Sequence, residues 1–356
     1  MFSPNRKRGN LAAVPTPNAI SSYYSMIYSL LVRLGLHTLL APISIFLSLL
    51  AFAIILTIIA MTFAYTFGWV ERKTIARMQA RHGPTYLGKY GLLQNMADVI
   101  KLLSKENITP KNADVLFPFI LPVVYAIFFL ILFFVPFGKY FIGIDSSVSL
   151  IFVFMLISFV PLLLFLAGWT SGNKFGAISA QRSVLMLLSY EVPLVLVVSA
   201  VAMLSHSYSL VSIVSAQNSM WFAVLMPIGF VLFFIIMLAE LERPPFDLRE
   251  ADNELIAGWL TDVSAPYYAL ALFLDYTRMF VGTLLISVLF LGGGDGPLLP
   301  AFAWIMIKVI LLSFIIMLVR ASTVRVKISR LLRMGWLYFM PLSVLNMFIT
   351  FILFVK

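Results

Sequence analysis

Six of the fifteen carboxylates in this 356-residue chain fall between Glu240 and Glu254. The segment AELERPPFDLREADNEL carries Glu240, Glu242, Asp247, Glu250, Asp252 and Glu254 between two apolar runs, MPIGFVLFFIIML and YYALALFLDY. Pro244-Pro245 forbids the preceding helix from continuing. READNELIAGW then reads as a short helix with Asp247, Glu250 and Glu254 three or four residues apart on one side. Like charges at that spacing repel. In a partly dehydrated site they raise one another's pKa toward neutrality, so the cluster can hold and pass protons near pH 7. The plainer reading is a solvated acidic loop balanced by Arg243 and Arg249.

Two further acids stand inside apolar stretches. Glu191 lies in LLSYEVPLVL, where an ionised carboxylate costs on the order of 3 kcal/mol or more. It must face a polar cavity, pair with a cation or carry a proton; a helix–helix hydrogen bond near Tyr190 or Ser189 is the structural alternative. Pro193, two residues on, can free backbone carbonyls and kink the span. Asp275, in ALFLDYTRMF, has Arg278 one turn away, a spacing that suits a simple ion pair. Together the intramembrane acids favour a proton path over a solvated loop.

The elements that must position these groups follow from composition. At 62% hydrophobic and 11% charged residues, the chain is far from the roughly one-quarter charged content of a soluble domain. Stretches of about 20 apolar residues are each long enough to cross a hydrocarbon core of about 30 Å. The fold class is therefore all-α, a polytopic transmembrane helical bundle, and the alternating segments of a membrane β-barrel are absent. The net charge of +10 reflects the bias of Lys and Arg toward one membrane face, so no nucleic-acid partner is implied. The absence of cysteine excludes disulfides, cysteine-ligated iron–sulfur clusters and thiol nucleophiles in this chain. His37, His82 and His206 are too scattered for a His-based zinc site, so no metal is expected.

Eight spans are expected, near 44–69, 116–136, 148–168, 184–204, 220–239, 267–291, 299–320 and 336–355. Loops after the odd-numbered spans hold most of the Lys and Arg, whereas the opposite loops are nearly bare, with Lys139 after span 2. The positive-inside rule places the odd-numbered loops in the cytoplasm. The basic tail MFSPNRKRGN resists this scheme. SMIYSLLVRLGLHTLL is either a ninth crossing or, being short and carrying Arg33 and His37, an interfacial helix. Residues 1–42 are read as a basic tail, poorly ordered over 1–20, and 43–356 as a single membrane domain. The tail lacks the apolar region and cleavage site of a signal peptide, and no internal repeat supports an inverted-repeat transporter. In the loop after span 1, MADVIKLLSKE places Met96, Val99, Ile100 and Leu103 on one face of a helix lying along the membrane surface.

Four long stretches carry a resemblance. ERKTIARMQARHGPTYLGKYGLLQNMADVIKLLSKE, GWTSGNKFGAISAQRSVLMLLSYEVP, AELERPPFDLREADNELIAGW and MGWLYFMPLSVLN resemble the signature regions of the H subunit of bacterial complex I, called NADH dehydrogenase subunit 1 in mitochondria. The motifs run in order from about residue 65 to 348. The resemblance implies a membrane subunit that joins a hydrophilic redox arm to an ion-pumping arm in the cell membrane and walls part of a quinone chamber. Carried over by position, that chamber involves Glu71, Arg72, Arg77, Arg81, Asp98 and Phe246. The implied proton path involves Glu191, Glu240, Asp247, Glu250, Asp252, Glu254, Asp262 and Asp275, with Arg182 and Arg243 as charge partners. Gly83, Pro84, Gly168, Asn173 and Lys174 match as backbone and loop determinants. Quinone is the implied substrate, bordered by spans 1 and 6 and the surface helix. The iron–sulfur clusters belong to partner subunits, beside antiporter-like and small membrane-arm partners and membrane lipid.

The departures are specific. Where the family commonly reads N-R-A-P-F-D-L-P-E-A-E, this chain has Glu242 for Asn, Arg249 for Pro and Asp252 for Glu. Asp262-Val263 and Asp275-Tyr276 stand where the family has Glu-Tyr pairs. After span 7, Val324 and Ser329 replace the Pro and Asp of P-R-x-R-x-D. These changes suggest a divergent complex and leave the electron donor open. Three rival readings stand beside this one: the homologous subunit of a membrane-bound hydrogenase or ferredoxin-linked pump, a stand-alone proton-coupled transporter, and a structural anchor.

Overall fold

The computed structural model describes residues 40–138, 141–250 and 252–354, leaving the side chains of 40–45, 252 and 253 outside the description. The expectations for the basic tail, for SMIYSLLVRLGLHTLL up to Leu39, for Lys139 and for the Asp252 side chain therefore fall outside it. Among the described residues every regular element is helical, and seven helices are long and apolar enough to cross a membrane.

Helix α1, Leu40–Met78, is about 58 Å long at 1.5 Å per residue. It outruns the bilayer, so Glu71, Arg72 and Arg77 ride on a continuous helix instead of the loop expected after residue 69. Surface helix α2, Gln94–Leu103, follows and shows Met96, Ile100 and Leu103 outward. Spans α3, Phe117–Phe134, and α4, Ser149–Thr170, come next. Helix α5, Lys174–Ser205, starts ten residues ahead of its apolar core, because the Asn173 side chain accepts the Phe175 N–H at 3.2 Å and caps it there. That early start places Ser179 and Arg182 on the helix. Gly168 of α4 lies so close to α5 that a Cβ would sit 2.5 Å from the Gly176 carbonyl, the small-residue crossing typical of membrane helices.

The short helices α6, Leu210–Ala216, and α7, Phe222–Leu225, lead into α8, Pro227–Glu240. The fifth expected span thus breaks at Met226, where Pro227 removes a donor, and the 14-residue α8 rises only about 21 Å. Helix α9, Asp252–Leu255, is a single turn. Helix α10, Ala265–Phe290, is the hub: every residue from Thr277 to Phe290 is buried, and it packs on α1, α2, α3 and α11, Ala301–Ser322. The last run joins α12, Ile328–Met334, through a π-helical turn at Gly335–Phe339 to α13, Met340–Phe354.

Pro193 of α5 has no N–H to offer the Ser189 carbonyl, four residues back. A Cβ on Gly335 would stand 2.2 Å from that carbonyl oxygen. The backbone of the π turn therefore packs directly on the polar group that the proline releases. Gly335→Ala should lower the stability of the chain by about 1–3 kcal/mol through overpacking, read as a lower midpoint in detergent unfolding. A wild-type midpoint would mean that the two helices are free to separate.

Candidate functional site

The acidic link folds back into the bundle because its apolar residues are anchors. Phe246, Leu248, Leu255 and Trp259 are each buried to 4% exposure or less. Backbone contacts hold it from three sides. The Ser179 hydroxyl donates to the Arg249 carbonyl at 2.9 Å, Arg182 donates to the Leu248 carbonyl at 3.2 Å, and the Val326 N–H donates to the Pro245 carbonyl at 2.9 Å. Gly258 adopts φ 57°, and a Cβ there would come within 2.1 Å of the Arg249 carbonyl. Packing overrides the helical reading of this segment: Asp247 and Glu250 lie in irregular chain ahead of α9. They do not share a helix face with Glu254.

At the centre is Glu71, 3% exposed. Its Oε1 accepts from Arg243 at 2.9 Å and from Arg320, so one carboxylate ties α1, the acidic link and the end of α11 together. The Arg243 guanidinium also lies over the Tyr276 ring, 5.2 Å from its centroid, a cation–π contact. Burial works against the charge on Arg243, but Glu71 and Asp275 outweigh it and hold the group protonated.

Beyond Arg243 the acids form a sequence of electrostatic neighbours. Asp275 and Glu250 both face Arg243. Burial, with Asp275 and Asp247 as like-charged neighbours, pushes the Glu250 carboxyl up to about 8. Glu240 is 4% exposed. Its charged neighbours are Arg278, Glu191 and Arg249, with the Tyr190 hydroxyl alongside. Glu191 accepts from the Ser158 hydroxyl, while its other oxygen is buried without a partner.

A second buried ion cluster forms around Glu242 and Arg249. Arg249, 1% exposed, pairs with Glu242, which also pairs with Arg278 at 3.0 Å. Arg278 donates in addition to the Glu240 carbonyl at 2.6 Å. The expected Asp275–Arg278 pair is therefore not formed, because Arg278 turns to Glu242 and the end of α8. Glu242 has a left-handed φ of 52°, a conformation that Asn tolerates better than Glu.

An apolar cleft opens between α1, α2 and α10, walled by residues such as Ala64, Gly68, Val99, Leu272 and Phe273. Its polar end holds Arg72, Asp98 and Tyr276. Arg72 and Asp98 pair at 2.6 Å, and Gln94 donates to Asp98 at 3.0 Å. Partial burial pushes Asp98 up, but these bonds win and hold it below the usual carboxylate range. Tyr276 thus presents one side to the cavity and the other to Arg243.

The remaining sequence candidates divide. Arg77 and Arg81 are exposed, and neither lines the cavity. Phe246 is buried in the core and does not face the cavity. Glu254 is half-exposed and bound by Arg182 at 2.6 Å, which holds its carboxyl below the usual range. Asp262 is half-buried before α10 and makes no ion pair among the described residues. No group of metal-ligating side chains occurs among the described residues. Arg320, Tyr276, Arg278 and Ser158 join the site without being sequence candidates. The four stand on apolar spans, and apart from Arg278, which spacing pairs with Asp275, sequence offers no pattern to separate them from ordinary helix residues.

The sequence model of the NADH dehydrogenase family matches residues 50–351. The H subunit of NADH-quinone oxidoreductase from Carboxydothermus hydrogenoformans is 35% identical over 314 residues, 86% of this chain and 89% of that protein. The second H subunit of NADH-quinone oxidoreductase from Syntrophobacter fumaroxidans is 38% identical, covering 83% of this chain and 92% of that one. The H subunit of the F(420)H(2) dehydrogenase from Methanosarcina mazei is 36% identical, covering 78% and 85%. Among solved structures, a chain of the membrane-bound sulfane sulfur reductase, an archaeal respiratory membrane complex, superposes with a TM-score of 0.76 at 27% identity, over 85% of this chain and 99% of that chain.

Proposed function

This chain belongs to the NADH dehydrogenase family, and from that premise we propose that it is the H-type membrane subunit of a complex I-like quinone oxidoreductase. The observation that carries the reading is the apolar cavity between α1, α2 and α10, whose polar end meets the buried acid and arginine network through Tyr276. A quinone combines an apolar tail with a small polar ring, so an apolar cleft with a polar floor suits it. The tail enters between the helices, and the ring reaches Arg72, Asp98 and Tyr276. Glu71 and Arg243, one layer deeper, set the charge behind that floor.

Electrons reach the quinone from iron–sulfur clusters on partner subunits of a redox arm. Reduction creates negative charge or a demand for protons at the cavity floor. A change in charge there acts first on Arg243 and Glu71, then on Asp275 and Glu250, and through Arg249 on Glu240 and Glu191. Glu250, whose carboxyl is pushed up by burial and by Asp275 and Asp247, is suited to hold and release a proton. Antiporter-like neighbours in the membrane arm receive the bias. The chain is an integral membrane protein. We place it in the cell membrane as one domain from residue 43 onward, with the loops after odd-numbered spans in the cytoplasm. Arg77 and Arg81, exposed on that face, serve the arm's docking or the chamber's outer wall.

Bulky substitution of the cavity wall tests this reading. In the assembled complex, Val99→Trp and Leu272→Trp should each raise the apparent KM for a quinone about tenfold or more, equivalent to about 1.4 kcal/mol of lost binding. Electron delivery from the donor to a soluble artificial acceptor should be unaffected. Unaltered quinone kinetics in both variants would move the chamber elsewhere.

A further inference from the structure

Beyond the cavity and the acid network, one cation cluster is left unused. Arg325, Lys327, Arg330 and Arg333, with Ser329, line a cleft where α11 gives way to α12. No acid forms an ion pair with any of the four among the described residues. Glu254 is the nearby acid felt by Arg325 and Lys327, but Arg182 already holds it. Arg325 keeps Nε and Nη2 buried without a hydrogen-bond partner.

The same helical run carries an apolar stripe away from the cleft. Arg330, Arg333, Leu337, Pro341, Leu345 and Phe348 are all exposed, at spacings of three and four residues. The π turn adds residues per turn, and the successive steps of four keep the stripe on one face. Pro341, Leu345 and Phe348 line an open groove. Leu337 to Phe348 rises about 16 Å, close to half of a hydrocarbon core of about 30 Å. Trp336 and Tyr338, 51% and 58% exposed, stand beside the cations, as aromatic residues do at headgroup depth.

We propose that this cleft and groove bind one anionic phospholipid, its phosphate held by Arg325, Lys327, Arg330 and Arg333 and its acyl chain lying along Leu337, Pro341, Leu345 and Phe348. The charge complementarity selects a phosphate-bearing anion over a zwitterionic headgroup. The apolar stripe selects a lipid over free phosphate. No acid pairs with these cations among the described residues, so an anion from outside the chain can balance them.

The test is lipid retention by the intact complex in mild detergent, measured by mass spectrometry after washing and re-addition of defined mixed micelles. Wild-type complex should retain phosphatidylglycerol, discriminate against phosphatidylcholine, and keep the bound lipid in the presence of millimolar inorganic phosphate. Arg330→Gln/Arg333→Gln should weaken retention roughly thirtyfold, the combined effect of two interfacial cations. Leu345→Asn, which leaves every cation in place, should also weaken it. Equal retention by the double variant overturns the site. Full displacement by inorganic phosphate reduces it to an anion pocket without a lipid and overturns the acyl assignment. Loss of a neighbouring subunit from the double variant, with lipid content unchanged, assigns the face to a protein partner instead.

Discussion

Glu71→Gln lowers the stability of the folded chain by about 3–5 kcal/mol, the usual consequence of removing one member of a buried ion pair. The carboxylate is 3% exposed and serves both Arg243 and Arg320. Without it, Arg243 stays charged beneath the cavity floor, with Asp275 as the next neighbouring carboxylate. Arg320, partly exposed, can reach water and loses less. Unfolding in mixed detergent micelles measures the loss directly. Glu71→Gln/Arg320→Gln should recover part of it, because one surplus positive charge leaves with the arginine. An unchanged midpoint in Glu71→Gln would show that water, not the ion pair, solvates Arg243. In the assembled complex the single variant should also depress quinone reduction, since the charge behind Tyr276 changes.

The second large effect concerns the pair at 242 and 249. Glu242→Asn alone should cost about 3–5 kcal/mol by stranding the buried Arg249 guanidinium, although Asn suits the left-handed φ of 52° better. Arg249→Leu alone costs less, since Glu242 keeps Arg278 at 3.0 Å. The double variant removes both charges of that pair and should recover about 2 kcal/mol of the summed losses, short of wild type because Arg278 also loses Glu242. That pattern gives a coupling energy of about 2 kcal/mol or more, near the upper range for residues in contact. Additive losses would deny that the two departures compensate one another. The same cycle has a functional side, because Arg249 is a charged neighbour of Glu240 and Glu250. Removing it should alter the pH profile of ion translocation more than that of electron transfer.

These two networks mark the boundary of what a reading of the chain alone can reach. Glu191 and Asp275 were legible because carboxylates are costly in lipid and their presence there demands a reason, whereas Glu240 and Glu250 were legible from the crowding of acids in the link between two spans. An apolar cavity bordered by spans 1 and 6 and the surface helix was an expectation of the family resemblance, not of residue spacing. Arg278 is the contrary case. Its nearest acid in sequence is Asp275, but it bonds Glu242 and the Glu240 carbonyl, because tertiary packing and not helical spacing sets which acid it meets. Phe246, placed at the chamber only by the family resemblance, has its ring in the core and does not line the cleft.

Composition and motif spacing were enough to determine an all-helical membrane bundle, the surface helix after the first span and the presence of Glu191 and Asp275 inside spans. They work because lipid imposes a uniform solvent along each span, and a run of about 20 residues reports on it independently of its neighbours. Which arginine neutralises which acid, the irregular path of the acidic link and the break in the fifth span were decided only by the tertiary structure. Those features depend on contacts between residues as far apart as Glu71 and Arg320, whose pairing is created by packing and has no local signature.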